Sequence, residues 1–380
     1  PQDDPGPARE GAVRHRDLGD AVIMPALVNA HTHLELSWLR GRVDTAPTFL
    51  RWVAAMMRER MQSADGRDQA FVRSAMALAL DEMKTSGTGL VGDISNGLAH
   101  LDLLGASGLE GLVFHEVIKF RAAEAGEFVE ASRRRIAAAD AGGRWRLALA
   151  PHAPYSVAPS VFRALASARS LLREPRMSVH VSESPEEVEF IGRGGGGWRD
   201  LLKRLGAWDP DWRAPGCSPV EYLDRLGFWD GRTLAVHAVQ ASDADLSVLA
   251  SRGVTVVTCP RSNAWVGAGA PPVESFYRSG ARVAIGTDSL ASVGDLNLFS
   301  ELAALGRLAP GVKPGDLLRS ATLTGAEALG FGDTHGAIAR GRRAALIAVE
   351  VPPGTTDVEQ YLVSGIAPGK VRWVGQDSAC

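Results

Sequence analysis

The sequence predicts a (β/α)8 barrel of the TIM type, with a small appended β-sandwich-like domain. Eight short runs rich in apolar and β-branched residues recur along the 380-residue chain, and helical patterns separate most of them. The runs are apolar on both faces, as strands buried in a parallel sheet require. Polar residues fall repeatedly at the carboxyl ends of these runs. In this kind of barrel all strand ends meet at one mouth, so we expect a functional site there.

The eight predicted strands form the barrel, which we assign to residues 23–334. In chain order they are AVIMPALVN, TGLVGDIS, GLVFHEVIKF, WRLALAPH, MSVHVSE, TLAVHAV, VTVVTCP and RVAIGTDS. The helices predicted between them include Ala70–Lys84, Glu127–Ala139, Val161–Leu172 and Asp243–Ser251. We assign residues 1–22 and 335–380 to the small β-domain, because short strand and turn patterns follow the last barrel strand.

An unusually long connection separates the fifth and sixth strands. It holds about fifty residues, more than a typical crossover needs, and it is rich in glycine, tryptophan and proline. Such a segment could cover the barrel mouth as a lid, and we expect its tryptophans to pack within that lid. Residues Gly192–Gly197 match G-x-G-x-x-G, but they follow a predicted helix instead of a strand. The pattern therefore predicts a mobile loop and not a dinucleotide site.

The composition excludes several classes of protein. Hydrophobic residues make up 45% of the chain, charged residues 22%, and the formal net charge is −3, values typical of a globular protein. No long block of one charge favours a nucleic acid or an anionic membrane as partner. No apolar run could span a bilayer, and the first residues lack the pattern of a signal peptide. The three cysteines are far apart, so we expect no disulfides and a reducing cytoplasm.

The segment VNAHTHLEL carries the first candidate ligands, His31 and His33. Side chains two residues apart share one face of a strand, so both imidazoles can point at one ion. A histidine on a strand is more often structural than ligating, and the H-x-H pair alone does not decide the matter. His180 and Asp288 end two other strands, and together the four residues favour a metal site. Three imidazoles and one carboxylate suit a divalent ion such as Zn²⁺ or Fe²⁺.

Glu183 follows His180 by three residues and is the candidate general base. A carboxylate beside an activated water serves as base and proton shuttle in many hydrolases. The structural alternative is that Glu183 belongs to the start of the helix SPEEVEF, where Ser184 and Pro185 give a helix start. Both roles can hold together. In the segment PRSN, we expect Ser262 and Asn263 to satisfy backbone groups of a loop.

Six segments follow one another along the chain, namely PALVNAHTHLEL, PHAPYSV, HVSESPEE, AVHAV, CPRSN and IGTDSLAS. Their order resembles the amidohydrolase superfamily, in its branch of cytosine/adenosine deaminase-like enzymes and chlorohydrolases. The H-x-H pair is weak alone, whereas the ordered set is specific. Four segments, NAHTHLELS, PHAPYS, SPEEVEF and APGCSPVEYLDRLG, are most similar to the aminofutalosine deaminases of menaquinone biosynthesis.

The resemblance implies a role for each matching residue. The implied metal ligands are His31, His33, His180 and Asp288, and the implied catalytic residues are Glu183, His237 and Asp288. His237 would contact the catalytic water without binding the metal, and His152 would contact the substrate. The finer resemblance adds Glu35, Arg40 and Tyr155 as pocket residues. The fourth strand ends LALAPHAPYS, without the lysine or glutamate that bridges two metals, so one ion is expected, Zn²⁺ before Fe²⁺.

The resemblance implies a metal-dependent aminohydrolase that deaminates an adenine-like nucleoside or another aromatic amidine and releases ammonia. One alternative is a chlorohydrolase or amide hydrolase with the same ligands. Another is a non-catalytic binding protein that keeps the fold, although neither fold nor solubility needs so many buried polar groups. The expected partner is a small-molecule substrate, with no nucleic acid and no membrane, and a homodimer is compatible with the sequence.

Overall fold

All eight predicted barrel strands form a single parallel sheet, in the order in which they occur along the chain. The structure is a computed structural model that describes residues 16–62 and 69–374. The strands are β1 Ala21–Pro25, β2 Leu27–Thr32, β3 Thr88–Ser95, β4 Glu110–Val117, β5 Trp145–Pro151, β6 Met177–Val181, β7 Thr233–His237, β8 Thr255–Thr258, β9 Arg282–Ile285, β10 Leu346–Glu350 and β11 Val371–Val374. Strands β2 to β9 build the barrel, as the sequence predicts.

Backbone contacts between the first and last strands close the barrel. The N–H groups of Thr287 and Asp288 both donate to the carbonyl oxygen of His31, each at 3.1 Å. At Gly286 a Cβ atom would come within 2.7 Å of both Cβ and the carbonyl oxygen of His31. Only glycine allows this approach, which brings the end of β9 against the H-x-H segment.

The first predicted strand is in fact two strands. The run AVIMPALVN divides into β1, which joins a separate antiparallel sheet, and β2, which enters the barrel. The N–H of Ala26 donates to Ala345 beside β10, whereas the N–H of Leu27 donates to Gly87 beside β3. The hydrogen bonds therefore change sheet between adjacent residues. The continuous apolar run does not reveal this change, although β1 is partly exposed and β2 is buried throughout.

Helices cover the outside of the barrel and lie close to the predicted positions. They are α1 Phe49–Gln62, α2 Gln69–Thr85, α3 Leu101–Ala106, α4 Ala125–Ala138, α5 Pro159–Ala168, α6 Pro185–Arg193, α7 Gly196–Arg204, α8 Pro219–Arg225, α9 Asp243–Ser251, α10 Pro260–Trp265, α11 Val273–Arg278, α12 Leu298–Leu308, α13 Pro314–Ser320, α14 Leu323–Leu329 and α15 Val358–Leu362. The helix predicted over Val161–Leu172 is shorter, because its last turn, Arg169–Leu171, is a 3₁₀ turn.

The small β-domain is a three-stranded antiparallel sheet in the order β1–β10–β11. Its core residue Ile347 packs with Phe299 and Leu302 of α12, so the sheet adheres to the side of the barrel. Among the described residues it is the only sheet outside the barrel, and a second sandwich layer is not seen there. Strand β1 crosses the predicted boundary between residues 22 and 23. The exact domain limits stay a prediction, since residues 1–15 and 375–380 lie outside the described part.

The connection between β6 and β7 contains three helices, α6, α7 and α8. The segment Gly192–Gly197, predicted as a mobile loop, is instead the end of α6, a tight turn and the start of α7. Gly194 ends α6 in the left-handed conformation at φ 73°, a position that favours glycine. Trp198, Trp212 and Trp229 are buried in this segment, as expected of lid packing. Across residues 16–62 and 69–374, no helix has the length and apolarity needed to cross a membrane.

Candidate active site

The four candidate metal ligands meet at the carboxyl end of the barrel. Ring nitrogens of His31, His33 and His180 lie within 4.8 Å of one another. The Nε2 atoms of His33 and His180 face each other at 3.3 Å. Asp288 Oδ1 lies 3.6 Å from His33 Nε2 and 3.9 Å from His31 Nε2. Residues from the first, fifth and eighth barrel strands thus converge on one point.

The tautomer of His180 follows from its neighbour. His180 Nδ1 lies 2.9 Å from the carbonyl oxygen of His152, and a carbonyl can only accept, so Nδ1 carries the proton. The lone pair of His180 is therefore on Nε2, which faces His33. Burial, followed by the influence of His152, lowers the pKa of His180 to about 3, which keeps this imidazole neutral and able to ligate.

His31 shows that the cluster fits a metal ion. Its side chain is fully buried, and neither ring nitrogen has a hydrogen-bond partner within the described residues. Burial, and then the neighbouring histidines, hold its pKa well below the ordinary value, so protonation does not relieve the cost. A buried polar atom without a partner is costly. A divalent ion bound by three neutral imidazoles and the Asp288 carboxylate would give the buried ring a partner and remove that cost.

Two hydroxyl groups hold the Asp288 carboxylate in place. Ser262 Oγ donates to Asp288 Oδ2 at 2.5 Å, and Ser292 Oγ lies 3.3 Å from the same oxygen. Oδ1 is left to face the histidines. The backbone of Asp288 has φ 61°, and His237 has φ 75°. Such positive values are uncommon for residues other than glycine and often mark functional positions.

Glu183 lies beside His237 at the edge of the ligand cluster. Its Oε1 is 3.5 Å from His237 Nε2, and both side chains are buried. His237 Nδ1 lies 2.9 Å from Asn263 Nδ2. Burial, and next the charge of Asp288, hold the pKa of Glu183 well above its ordinary value. A carboxylate with a raised pKa is a stronger proton acceptor, which suits a general base.

Glu183 is not the cap of helix α6. That role belongs to Ser184, whose side chain accepts from the N–H of Glu187. The carboxylate of Glu187 in turn accepts from the N–H groups of Ser182 and Glu183, each at 2.9 Å. This buried turn holds the backbone of Glu183 and leaves its side chain free to face the cavity.

A cavity of about 550 Å³ opens above the cluster. One side is apolar and comes from α1 and α7, with Trp52, Met56, Trp198 and Leu202 among its residues. Trp198 stacks on Tyr155 with ring centroids 3.7 Å apart. The predicted lid segment therefore lines the cavity through α7. The polar side holds the ligand cluster, so a bound molecule would meet both an apolar wall and the reactive groups.

Three of the four predicted substrate residues line this cavity, namely His152, Glu35 and Tyr155. His152 Nδ1 lies 2.6 Å from Ser156 Oγ, which leaves Nε2 for another partner. Arg40 is not brought to the cavity. Its side chain is 43% exposed, and its guanidinium pairs with Glu82 of α2. The 3₁₀ turn Leu34–Leu39 carries the chain outward before Arg40, which explains its position.

Several residues at the site have roles that the sequence did not predict. Ser262 and Asn263 contact the side chains of Asp288 and His237 instead of loop backbone. Glu187 supports the turn of Glu183. Glu116, at the end of β4, also lines the cavity. Its position after an apolar run was the available signal, and it is the same signal that identified the histidines.

The chain belongs to the amidohydrolase family, whose family model matches residues 22–372. This match covers the barrel and the small sheet, and it confirms the resemblance that the ordered segments indicate.

The individual relatives that are similar to this chain include three deaminases. The aminodeoxyfutalosine deaminase of Deinococcus radiodurans is 34% identical over 327 residues, which cover 82% of this chain and 74% of that protein. The aminofutalosine deaminase of Helicobacter pylori, in complex with methylthio-coformycin, superposes with a TM-score of 0.77 at 27% identity. It is matched over 93% of this chain and 87% of its own. An adenosine deaminase of Xanthomonas campestris with bound zinc has a TM-score of 0.72 at 31% identity, over 93% and 78%.

Proposed function

We propose that this protein is a metal-dependent aminohydrolase that deaminates an adenine-like nucleoside and releases ammonia. The observation that carries the proposal is the position of Glu183 beside His237, at the edge of the four-ligand cluster and facing the cavity. The similarity to adenosine-type and aminofutalosine deaminases supports it. Aminodeoxyfutalosine is our candidate substrate, which would place the reaction in menaquinone biosynthesis.

One divalent ion completes the site, and we propose Zn²⁺ because three imidazoles and a carboxylate suit it. His31, His33, His180 and Asp288 would hold it. When bound, such an ion supplies Lewis acidity and makes water easier to deprotonate. The zinc reported in the similar adenosine deaminase supports this choice of metal.

The side chains divide the proton transfers between them. Glu183 accepts a proton from the attacking water and delivers it to a ring nitrogen of the substrate, which its raised pKa favours. His237, 3.5 Å from Glu183, orients the water toward the carbon that bears the amino group. Asp288, held by Ser262, accepts the second proton from the added hydroxyl group and passes it to the amino group, so that the C–N bond breaks and ammonia leaves as the carbonyl forms. The apolar walls exclude bulk water from these transfers.

The cavity supports a nucleoside in preference to a free base. A base alone would leave much of the apolar wall of α1 and α7 uncovered in a space of about 550 Å³. We propose His152, Glu35 and Tyr155 as contacts for the substrate, because all three line the cavity. The free thiols of Cys217 and Cys259 support a reducing compartment, and we place the protein in the cytoplasm.

An ammonia-release assay tests this function with purified protein of known metal content. The panel contains aminodeoxyfutalosine, adenosine, S-adenosylhomocysteine and guanine, and the expected order places the nucleosides above the free base. Chelation should abolish the release, and added Zn²⁺ should restore it. Chloride release from 6-chloropurine riboside, with no ammonia from any amine, would instead favour a chlorohydrolase. A protein that binds no zinc and releases neither product would support the non-catalytic alternative.

A further inference from the structure

We propose that Glu116 binds the 2′,3′-diol of the substrate's ribose and so makes the site specific for ribonucleosides. The inference rests on the proposed function, since it concerns the same cavity. Glu116 is the last residue but one of β4, lines the cavity, and is 8% exposed. None of the contacts inferred above for catalysis involves this residue.

One carboxylate oxygen of Glu116 is held by the chain and the other is free. Oε2 accepts from Asn96 Nδ2 at 2.6 Å. Oε1 is buried and has no hydrogen-bond partner within the described residues. The ring of His180 is the nearest ionisable group, with Nδ1 at 3.8 Å, but that N–H already donates to the carbonyl of His152. A buried carboxylate oxygen without a partner calls for a donor from outside the chain.

A cation does not fit this oxygen as well as a hydroxyl group does. Glu116, His152 and His180 place possible ligand atoms within 4.8 Å of one another. However, the lone pair of His180 is on Nε2, which faces His33 and the ligand cluster. Only Glu116 and His152 then remain on the side of Glu116, fewer than the three or more protein ligands that are usual for zinc.

The hydrogen-bond donors of an adenine nucleoside limit which of its groups can bind Glu116 Oε1. Its ring nitrogens N1, N3 and N7 are acceptors, so the donors are the 6-amino group and the sugar hydroxyls. The amino group must lie at the ligand cluster, with the neighbouring ring nitrogen facing Glu183, for the proposed reaction. Glu116 lies beyond His180, on the side of that ring away from the ligand cluster. A sugar hydroxyl is therefore the partner, and the 2′ and 3′ hydroxyls lie on the ring joined directly to the base.

Glu35 and Asn96 hold Glu116 for this contact. The Glu35 carboxylate accepts from Ser95 Oγ at 2.5 Å and from the N–H groups of Asn96 and Gly97 at 3.0 and 2.9 Å. These bonds fix the loop after β3, and with it the Asn96 side chain that binds Glu116. Asn96 is thus a positioning residue, and Glu116 makes the contact.

The test compares two versions of the enzyme with two versions of the substrate. The substrates are the best nucleoside of the panel and its 2′,3′-dideoxy analogue, and the enzymes are the wild type and Glu116→Gln. Loss of a hydrogen bond to a charged group should lower kcat/KM by about 10-fold to 100-fold. We expect either change alone to produce that loss, mostly in KM, and the two together to produce little more.

Glu174→Gln is the matched control, because Glu174 is a buried carboxylate paired with Arg176 away from the cavity. It should not change the ratio between the two substrates. Asn96→Ala, at an exposed position, gives a second variant that keeps the core intact and should narrow the same ratio. Equal losses by Glu116→Gln on both substrates would overturn the inference, as would two metal ions per chain that fall to one in this variant. No ammonia from any nucleoside with the wild type would instead refute the proposed function.

Discussion

Two buried polar side chains, one at each end of the barrel, find their partners in opposite ways. At the amino-terminal end, Arg169 is 5% exposed, and its guanidinium pairs with Asp230 and donates to Thr233 Oγ1 and the carbonyl of Phe228, each at 2.8 Å. At the carboxyl-terminal end, His31 is also buried, yet both of its ring nitrogens lack a partner among the described residues. The chain supplies the partners of Arg169 and leaves both ring nitrogens of His31 without one.

This difference separates a structural end from a functional end. Burial of a polar group costs free energy wherever it occurs, and hydrogen bonds offset that cost at Arg169. At the mouth the offset must come from an ion or a substrate, so folding alone does not explain the residues there. Changes at the mouth should therefore alter activity, and changes at the opposite end should alter stability.

The largest expected effect is that of Glu183→Gln on activity. The variant should lose about 10²-fold to 10⁴-fold in kcat, because the amide cannot accept the proton of the attacking water. Its metal content, measured by elemental analysis, should equal that of the wild type, since Glu183 lies outside the four-ligand cluster. Glu189→Gln, on the exposed side of α6, is the control and should keep full activity. Near-normal kcat in Glu183→Gln would remove Glu183 from the role of base.

An intermediate effect is expected at the opposite end, from Arg169→Met. The change leaves the carbonyl of Phe228 without its donor and weakens the pairing of Asp230, so the free energy of unfolding should fall by about 3 kcal/mol. The kcat/KM of the folded enzyme should stay unchanged. Denaturant unfolding measures the first quantity and the ammonia assay the second.

Arg232→Met provides the control for this end of the barrel. Arg232 pairs with the same Asp230, but its side chain is 48% exposed. Loss of the Arg232 guanidinium should lower the free energy of unfolding by less than about 1 kcal/mol, as is usual for exposed ion pairs. A large loss of kcat/KM in Arg169→Met, without loss of stability, would contradict the division between the two ends.

The smallest effect, taken per pH unit, concerns how the free energy of unfolding depends on pH. Burial raises the pKa of Glu187 from 4.5 to about 8, although its backbone hydrogen bonds act in the opposite direction. Between these values the folded state binds the proton more strongly than the unfolded state does. The free energy of unfolding should therefore fall as pH rises through this window, by at most about 1.4 kcal/mol per pH unit from this residue.

Glu187→Gln removes that titration and should flatten the pH dependence. Urea unfolding of both proteins, at several pH values between about 5 and 8, measures the two slopes. Identical slopes would show that Glu187 is charged in the folded protein at neutral pH. The hydrogen bonds from the N–H groups of Ser182 and Glu183 would then be sufficient to keep the buried Glu187 carboxylate charged.

The sequence predicts the barrel and the convergence of its histidines well, because strand ends in this fold meet by geometry. It does not distinguish one carboxylate at a strand end from another. Asp93 lies near the end of β3, yet it accepts from the N–H of Leu34 and pairs with His100 at 2.7 Å, so it has a structural role. Glu116 lies near the end of the next strand and faces the cavity. Partners distant in sequence decide between these roles, and a single sequence does not show them.

The contact between β2 and β9, the first and last strands of the barrel, also constrains when the protein can fold during its synthesis. Thr32 Oγ1 donates to the carbonyl of Asp288 across 256 residues of sequence. The ribosome synthesises His31 and His33 long before Asp288, so the set of four ligands is complete only after most of the chain has been made. Contacts between such distant segments form slowly, because a long loop must close first. An ion bound by both His31 and Asp288 would then hold the first and last strands of the barrel together once β9 has been synthesised.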